Sequence, residues 1–209
     1  MKRSKITILL AIVLGMTFHS CLDLEPQDQL GGKNMWTSVN DYKQFANTFY
    51  SWTRDFSSVV YDGTHSDKRS DLITYQSYNE FSRGINSIPS SDANYTDNYK
   101  HIRRTNLLLQ NAEAYAKPED IKQYIGEAYF FRAYSYFDLL QLYGDVIITK
   151  KPLDITDPEM KVKRNDRSEV VDLIIDDLNH AVETLPAFKA LTTEEEGRIS
   201  KEGAQAFLS

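Results

Sequence analysis

YIGEAYFFRAYSYFDLLQLYGDVIIT, residues 124–149, is the stretch that decides the fold. Eight of the 20 residues from 124 to 143 are aromatic, against 12% for the whole chain, and no proline interrupts them. The run predicts a long helix. Pro118 suits the first helical position, where its missing N–H would have no intrahelical partner anyway. Glu119 and Asp120 place negative charge on the positive end of the helix dipole, and Gly144 supplies the stop. At 1.5 Å per residue, the rod from 118 to 143 is roughly 39 Å long. Helical winding gathers Gln123, Glu127, Tyr134, Asp138 and Gln141 into one narrow polar arc. Ile121, Ile125, Ala128, Phe131, Phe137, Leu139, Leu140 and Leu142 cover most of the rest, so the helix needs neighbours on several sides.

Arg132 is the exception on the apolar side, because it projects among Ile121, Ile125 and Leu139, away from Glu127 and Asp138. If buried, its partner must come from another element. A buried ion pair between helices is the plainer reading, and a ligand-binding arginine the sharper one.

Outward from this helix, regular structure precedes it from 97 to 116, where Tyr99, Ile102, Leu109, Ala112 and Ala116 keep the helical period and Leu107 and Leu108 broaden the face. The connection at Lys117 is so short that the two helices must pack as an antiparallel hairpin. Further upstream, Ser38 and Asp41 are spaced as a capping box, followed by Tyr42, Phe45, Ala46, Phe49 and Trp52 at helical spacing, a stripe that reads as core before it reads as a sugar platform. Between 53 and 96 the period fails. Ser, Asp, Asn, Gly and Thr dominate there, with Tyr61, Tyr75, Tyr78, Phe81 and Tyr95 interspersed, and so long a loop region inside a domain is often functional.

Downstream, residues 146–150 are mostly apolar and β-branched, and Pro152 and Pro158 keep the chain extended and irregular to 167. Ser168 is expected to cap an amphipathic helix with Val171, Ile174, Ile175, Leu178, Ala181, Val182 and Leu185 on one face and Glu169, Asp172, Asp176 and Glu183 on the other. Pro186 ends it. A loop with Glu194, Glu195 and Glu196 leads to Ser200, which starts a last helix, KEGAQAFLS.

The start of the chain reads as a leader. Lys2, Arg3 and Lys5 precede a mostly apolar run from 6 to 18, too short to span a bilayer core of about 30 Å. Ser20 before Cys21, the one cysteine in the chain, looks like the lipobox cut by lipoprotein signal peptidase, after which Cys21 would be diacylated. The expected layout is a signal peptide over 1–20, a tether over 21–34 and a helical domain over 35–209.

A formal net charge of -6 argues against a nucleic-acid partner and against acidic substrates drawn in by the overall field. Sequences for dinucleotide, phosphate or metalloprotease sites are missing. His65, His101 and His180 lack the i, i+4 spacing of a metal pair, and Asp62, Asp67 and Asp71 do not match a calcium loop. Asp176 and Asp177 point about 100° apart on a helix and read as a solvated charge pair. Neither metal nor cofactor is expected, and no catalytic residue is named.

Several segments in order then resemble the N-terminal part of the SusD/RagB nutrient-binding lipoproteins: Cys21 after its apolar leader, MWTSVNDYKQFANTFY (35–50), YKHIRRTNLLLQNAE (99–113), GEAYFFRAYSYFDLLQLYGDVIIT (126–149), RSEVVDLIIDDLNHAVETLP (167–186) and GRISKEGAQAFLS (197–209). The resemblance implies an all-α fold of tetratricopeptide-like helix pairs with a long irregular loop region, and no enzyme activity. It also implies an outer-membrane, surface-exposed, lipid-anchored protein that captures oligosaccharides, or in some branches peptides, for a SusC-like TonB-dependent transporter. On this reading Asn106 and Arg132 are buried polar fasteners. Tyr61, Tyr75 and Tyr78 are expected to stack on sugar, with Arg69, Asp71 and Asn79 taking hydroxyls. Members of the family are usually more than twice as long, so the helical domain is expected to be incomplete. A surface-anchored adaptor that holds a protein or peptide in a helical groove is the rival.

Overall fold

Ser38 opens the first helix as expected. Its hydroxyl accepts from the Asp41 N–H at 3.4 Å, and the Asp41 carboxylate accepts from the Ser38 N–H at 2.8 Å. The computed structural model describes residues 35–54, 80, 83–85, 87–154 and 156–209, and residues 36–209 group as one unit. Helix α1 spans Val39–Asn47 and continues as a 3-10 turn, Thr48–Trp52. Tyr42, Phe45, Ala46 and Phe49 are buried, so the aromatic stripe is core. Trp52 is partly exposed and stacks on His101 with ring centroids 4.1 Å apart.

Helix α2, Ala93–Glu113, starts four residues before the expected position and stops before Ala116, which is exposed. Asp92 caps it, accepting from the Asn94 N–H at 2.9 Å. Its buried face is half polar, with Asn98, Thr105 and Asn106 beside Ile102, Leu108 and Ala112. After 114–117 the chain makes a 3-10 turn, Pro118–Ile121, and then helix α3, Lys122–Tyr143. The single rod expected from 118 therefore begins with one tighter turn, still with Pro118 in its first position. Gly144 ends α3 at φ +71, a backbone conformation that favours glycine. Tyr95 in the first turn of α2 meets Tyr143 in the last turn of α3, 5.2 Å between centroids, while Asn106 and Arg132 meet midway, as an antiparallel hairpin requires.

Helix α4, Arg167–Thr184, runs back along α3. Asp166, not Ser168, precedes its first turn, donating its N–H to Glu169 at 3.0 Å. The buried face is also turned from the expected one. Val170, Leu173, Ile174, Asp177, Leu178 and Ala181 point inward, while Val171 and Ile175 are 36% and 44% exposed. Asp177 is fully buried, so the reading of Asp176 and Asp177 as a solvated pair holds only for Asp176. Close approach of α4 to α3 is possible because Gly126 has no side chain: a Cβ there would lie 2.6 Å from Thr184 Oγ1 and 2.9 Å from Leu185 Cγ. Helix α5, Lys201–Leu208, is capped by Ser200, which accepts from the Gly203 N–H at 3.3 Å. Its Phe207 ring packs edge-on to Phe130 and Phe137 of α3.

The polar arc of α3 faces solvent only in part, at Gln141 and the half-buried Gln123, Tyr134 and Asp138. Glu127 is fully buried and receives Arg198, from the loop before α5, at both carboxylate oxygens at 2.8 Å. Arg132, 5% exposed, donates Nε and Nη2 to the two Asp177 oxygens at 2.8 and 2.6 Å, and Nη1 to Asn106 Oδ1 at 2.8 Å. One guanidinium thus ties α2, α3 and α4 together. Burial works against the charge on Arg132, but the bonds to Asp177 outweigh it and raise its pKa. Burial likewise pushes the Asp177 carboxyl up against the pull of Arg132. Among the described residues there is no strand, and the architecture is all-α.

Candidate ligand-binding groove

The β-branched run after Gly144 has the composition of a strand, yet it forms a single bridge, Val146 to Asn165. Side chains take the place of a neighbouring strand. Tyr99 accepts from the Ile147 N–H at 2.9 Å and donates to the Ile147 carbonyl at 2.8 Å. Tyr136 does the same at Thr149, accepting at 2.8 Å and donating at 3.2 Å. Asn165 Oδ1 accepts from the Ile148 N–H at 2.9 Å, and Asn106 donates to the Thr149 and Lys151 carbonyls at 3.0 and 3.3 Å. Burial pushes both phenols above their ordinary range, so each hydroxyl keeps the proton it needs to donate. Asn106 also accepts from Arg132, so the buried network of the helices continues directly into this extended segment.

Held in this way, the segment forms one wall of a groove of about 450 Å³, within the range of small-molecule clefts. The first half of α2 forms the other wall. Residues 95, 99 and 103, at helical spacing, bring Tyr95, Tyr99 and Arg103 to one face with Lys100 beside them, opposite Ile147, Lys151 and Leu153. The Tyr95 and Tyr99 rings sit 4.8 Å apart, tilted by 49°. Arg103 crosses between the walls, donating Nε to the Leu153 carbonyl at 3.2 Å, and Lys151 pairs with Glu159 at 2.6 Å.

The groove opens beside the residues where the chain re-enters α2 from the 55–91 segment. Its outgoing stem is pinned by Arg54, which pairs with Asp138 and lies over the Tyr134 ring at 5.7 Å. Its returning stem is pinned by Asp92, which accepts from the Tyr143 hydroxyl at 2.6 Å. Both anchors belong to the last two turns of α3.

Tyr61, Arg69, Asp71, Tyr75, Tyr78 and Asn79 lie outside the described residues, as do Cys21, Asp62, Asp67 and His65. Asn106 and Arg132 are buried and bonded to each other. His101 lies against Trp52 and His180 against Tyr129, and no cluster of three potential metal ligands occurs among the described residues. Sequence reading missed Tyr99, Lys100 and Arg103 as groove residues. The i, i+4, i+8 spacing of 95, 99 and 103 was present, but nothing local marks which element lies opposite.

Residues 22–209 match a family of SusD-like proteins described as starch-binding and associating with the outer membrane. SusD-like protein P38 of Formosa agariphila is 28% identical over 204 residues, covering 88% of this chain and 38% of its own length. A SusD-like protein of Bacteroides fragilis superposes with a TM-score of 0.69 at 24% identity, covering 88% of this chain and 36% of the other, which shows the fold. A solved laminarin-binding SusD-like protein is 30% identical with a TM-score of 0.55, over 62% of this chain and 28% of the other. This chain therefore spans about two fifths of the length of its curated relatives. With the match running from 22 to 209 and the fold shared with the solved SusD-like proteins, the chain belongs to the SusD-like family.

Proposed function

We propose that this protein is a cell-surface lipoprotein of the outer membrane that captures oligosaccharides and hands them to a SusC-like TonB-dependent transporter. The observation that carries the reading is the match of 22–209 to a family described as starch-binding and associating with the outer membrane. The laminarin-binding relative adds to it. The layout is a leader over 1–20, a diacylated Cys21, a tether to 34 and a helical domain from 35. No helix among the described residues is long and apolar enough to cross a membrane.

Capture is assigned to the groove together with residues of the 53–96 segment. A sugar ring presents C–H bonds on its faces and hydroxyls on its edge. Tyrosine rings in the groove, with Tyr61, Tyr75 and Tyr78 from the loop, meet the faces. Arg69, Asp71 and Asn79 take hydroxyls. The protein binds and releases its ligand without chemical change. The test is a glycan array probed with the full chain, alongside a pull-down from solubilised outer membranes. Glycan binding and recovery of a β-barrel transporter are expected. Recovery of peptide or protein partners with a blank array would replace this reading with that of a protein-binding adaptor.

A further inference from the structure

The groove carries a charge opposite to that of the chain. Its lining includes three cations, Lys100, Arg103 and Lys151, and one acid, Glu159, in a protein of formal net charge -6. Glu159 is neutralised by Lys151 at 2.6 Å. Lys100 and Arg103 pair with Asp97 at 2.7 Å and Asp154 at 3.4 Å, and neither of those carboxylates lines the groove. The side chains of Lys100 and Arg103 are 72% and 51% exposed. Exposed pairs of this kind are weak, so an arriving anion competes for them readily. The lining also includes Tyr95, Ile147 and Leu153, which suit the C–H face of a sugar and offer no charge.

From this arrangement we infer that the groove selects an oligosaccharide bearing anionic groups, either uronate carboxylates or sulfate esters. The inference rests on the glycan-capture reading above and sharpens its ligand class. Lys100 and Arg103 take the anion, with Arg103 able to do so through its two outer nitrogens while Nε stays on the Leu153 carbonyl. Tyr95, Ile147 and Leu153 take the ring. The net negative field of the protein slows the approach of such a ligand but does not decide which ligand stays, because beyond about 8 Å charges are screened at physiological salt while ion pairs at contact distance in the groove are screened less.

The experiment is an array holding uronate, sulfated and neutral oligosaccharides, followed by calorimetry of the best uronate or sulfated ligand and its neutral counterpart at about 50 and about 300 mM salt, a range over which screening is strong. The expected result is a preference for the anionic ligand of roughly tenfold or more, reduced at the higher salt. Lys100→Gln combined with Arg103→Gln should remove the preference with unchanged circular dichroism, and Arg103→Lys should restore part of it. Uronate binding without sulfate binding, or the reverse, names the anion. Equal affinity for charged and neutral ligands, or neutral ligands alone, overturns the inference and leaves glycan capture standing. A blank array overturns both. Should the double variant fail to fold, the salt dependence of the parent protein decides.

Discussion

Arg198 reaches Glu127 across 71 residues of sequence and contacts both of its oxygens at 2.8 Å, although Glu127 has no exposed surface and Arg198 keeps a solvent-facing edge. That asymmetry sets the direction of the first prediction. Arg198→Met leaves a fully buried carboxylate without its partner and should cost about 3–5 kcal/mol, whereas Glu127→Leu leaves a guanidinium that can turn to water and should cost less. Burial already pushes the Glu127 carboxyl up. Without Arg198 its folded pKa lies above its unfolded value, so stability is retained at low pH and lost as pH rises. The deficit of Arg198→Met, measured by urea denaturation, should therefore be smaller at pH 4 than at pH 7.

Arg132, Asp177 and Asn106 form one unit, and their substitutions should not add. Arg132→Met and Asp177→Leu each break a buried pair and should each cost about 3–5 kcal/mol, while the double variant should cost well under the sum. Asn106→Leu strands Arg132 Nη1 and removes the donor to the Lys151 carbonyl, while the Thr149 carbonyl keeps the Tyr136 hydroxyl. A loss of about 1–3 kcal/mol per stranded group is the upper expectation for it. Additive single and double losses would show that the three residues are independent.

His101 supplies a pH response. Burial beside Trp52, with a smaller push from Arg104 and Lys100 and against the pull of Asp97, lowers its pKa from 6.5 to about 4. A depressed histidine contributes stability that is complete above the unfolded value and is lost as pH falls towards the folded one. Melting temperature should drop between pH 6.5 and 5, and His101→Phe, which keeps a ring on Trp52, should flatten that drop. An identical slope in the variant would remove His101 as its source.

Gly126→Ala tests the closeness of α3 and α4. The added methyl meets Thr184 and Leu185 side-chain atoms at 3.0 Å or less, so α4 must shift or its last side chains must turn. Overpacking of this kind should cost about 1–3 kcal/mol. Pairing it with Thr184→Ala should recover part of the loss.

Cys21→Ala should release the protein from the membrane fraction, because stable anchoring requires two acyl signals and the single cysteine would carry them. Fractionation of cells with an immunoblot decides it, and retention of the variant would point to another means of attachment.

Local chemistry made the helices legible. A capping box at Ser38 and Asp41, a proline at 118, a glycine at 144 and a serine at 200 each mark an end that the backbone must solve within a few residues. Arg132 likewise announced that it needed a partner from elsewhere. What the chain concealed was which polar residues turn inward. Periodicity separates polar from apolar positions but not buried from exposed polar ones, so it leaves Glu127 in a polar arc, reads Asp177 as solvated, and draws the face of α4 about Val171 and Ile175. Their true orientation is fixed by arginines 71 and 45 residues away, and no local pattern carries that distance. The groove was hidden for the same reason, since one of its walls is a strand-like segment paired by tyrosine and asparagine side chains instead of a sheet.

The two anchors at the end of α3 have a consequence for how this scaffold can vary. Arg54 on Asp138 and Asp92 on Tyr143 fasten the outgoing and returning chain to neighbouring turns of the same helix. Any sequence joined between them meets the scaffold at one address. The two clasps are separate from the Arg132 bonds to Asp177 and Asn106 that hold α2, α3 and α4, so a change of sequence between the clasps leaves those bonds as they are.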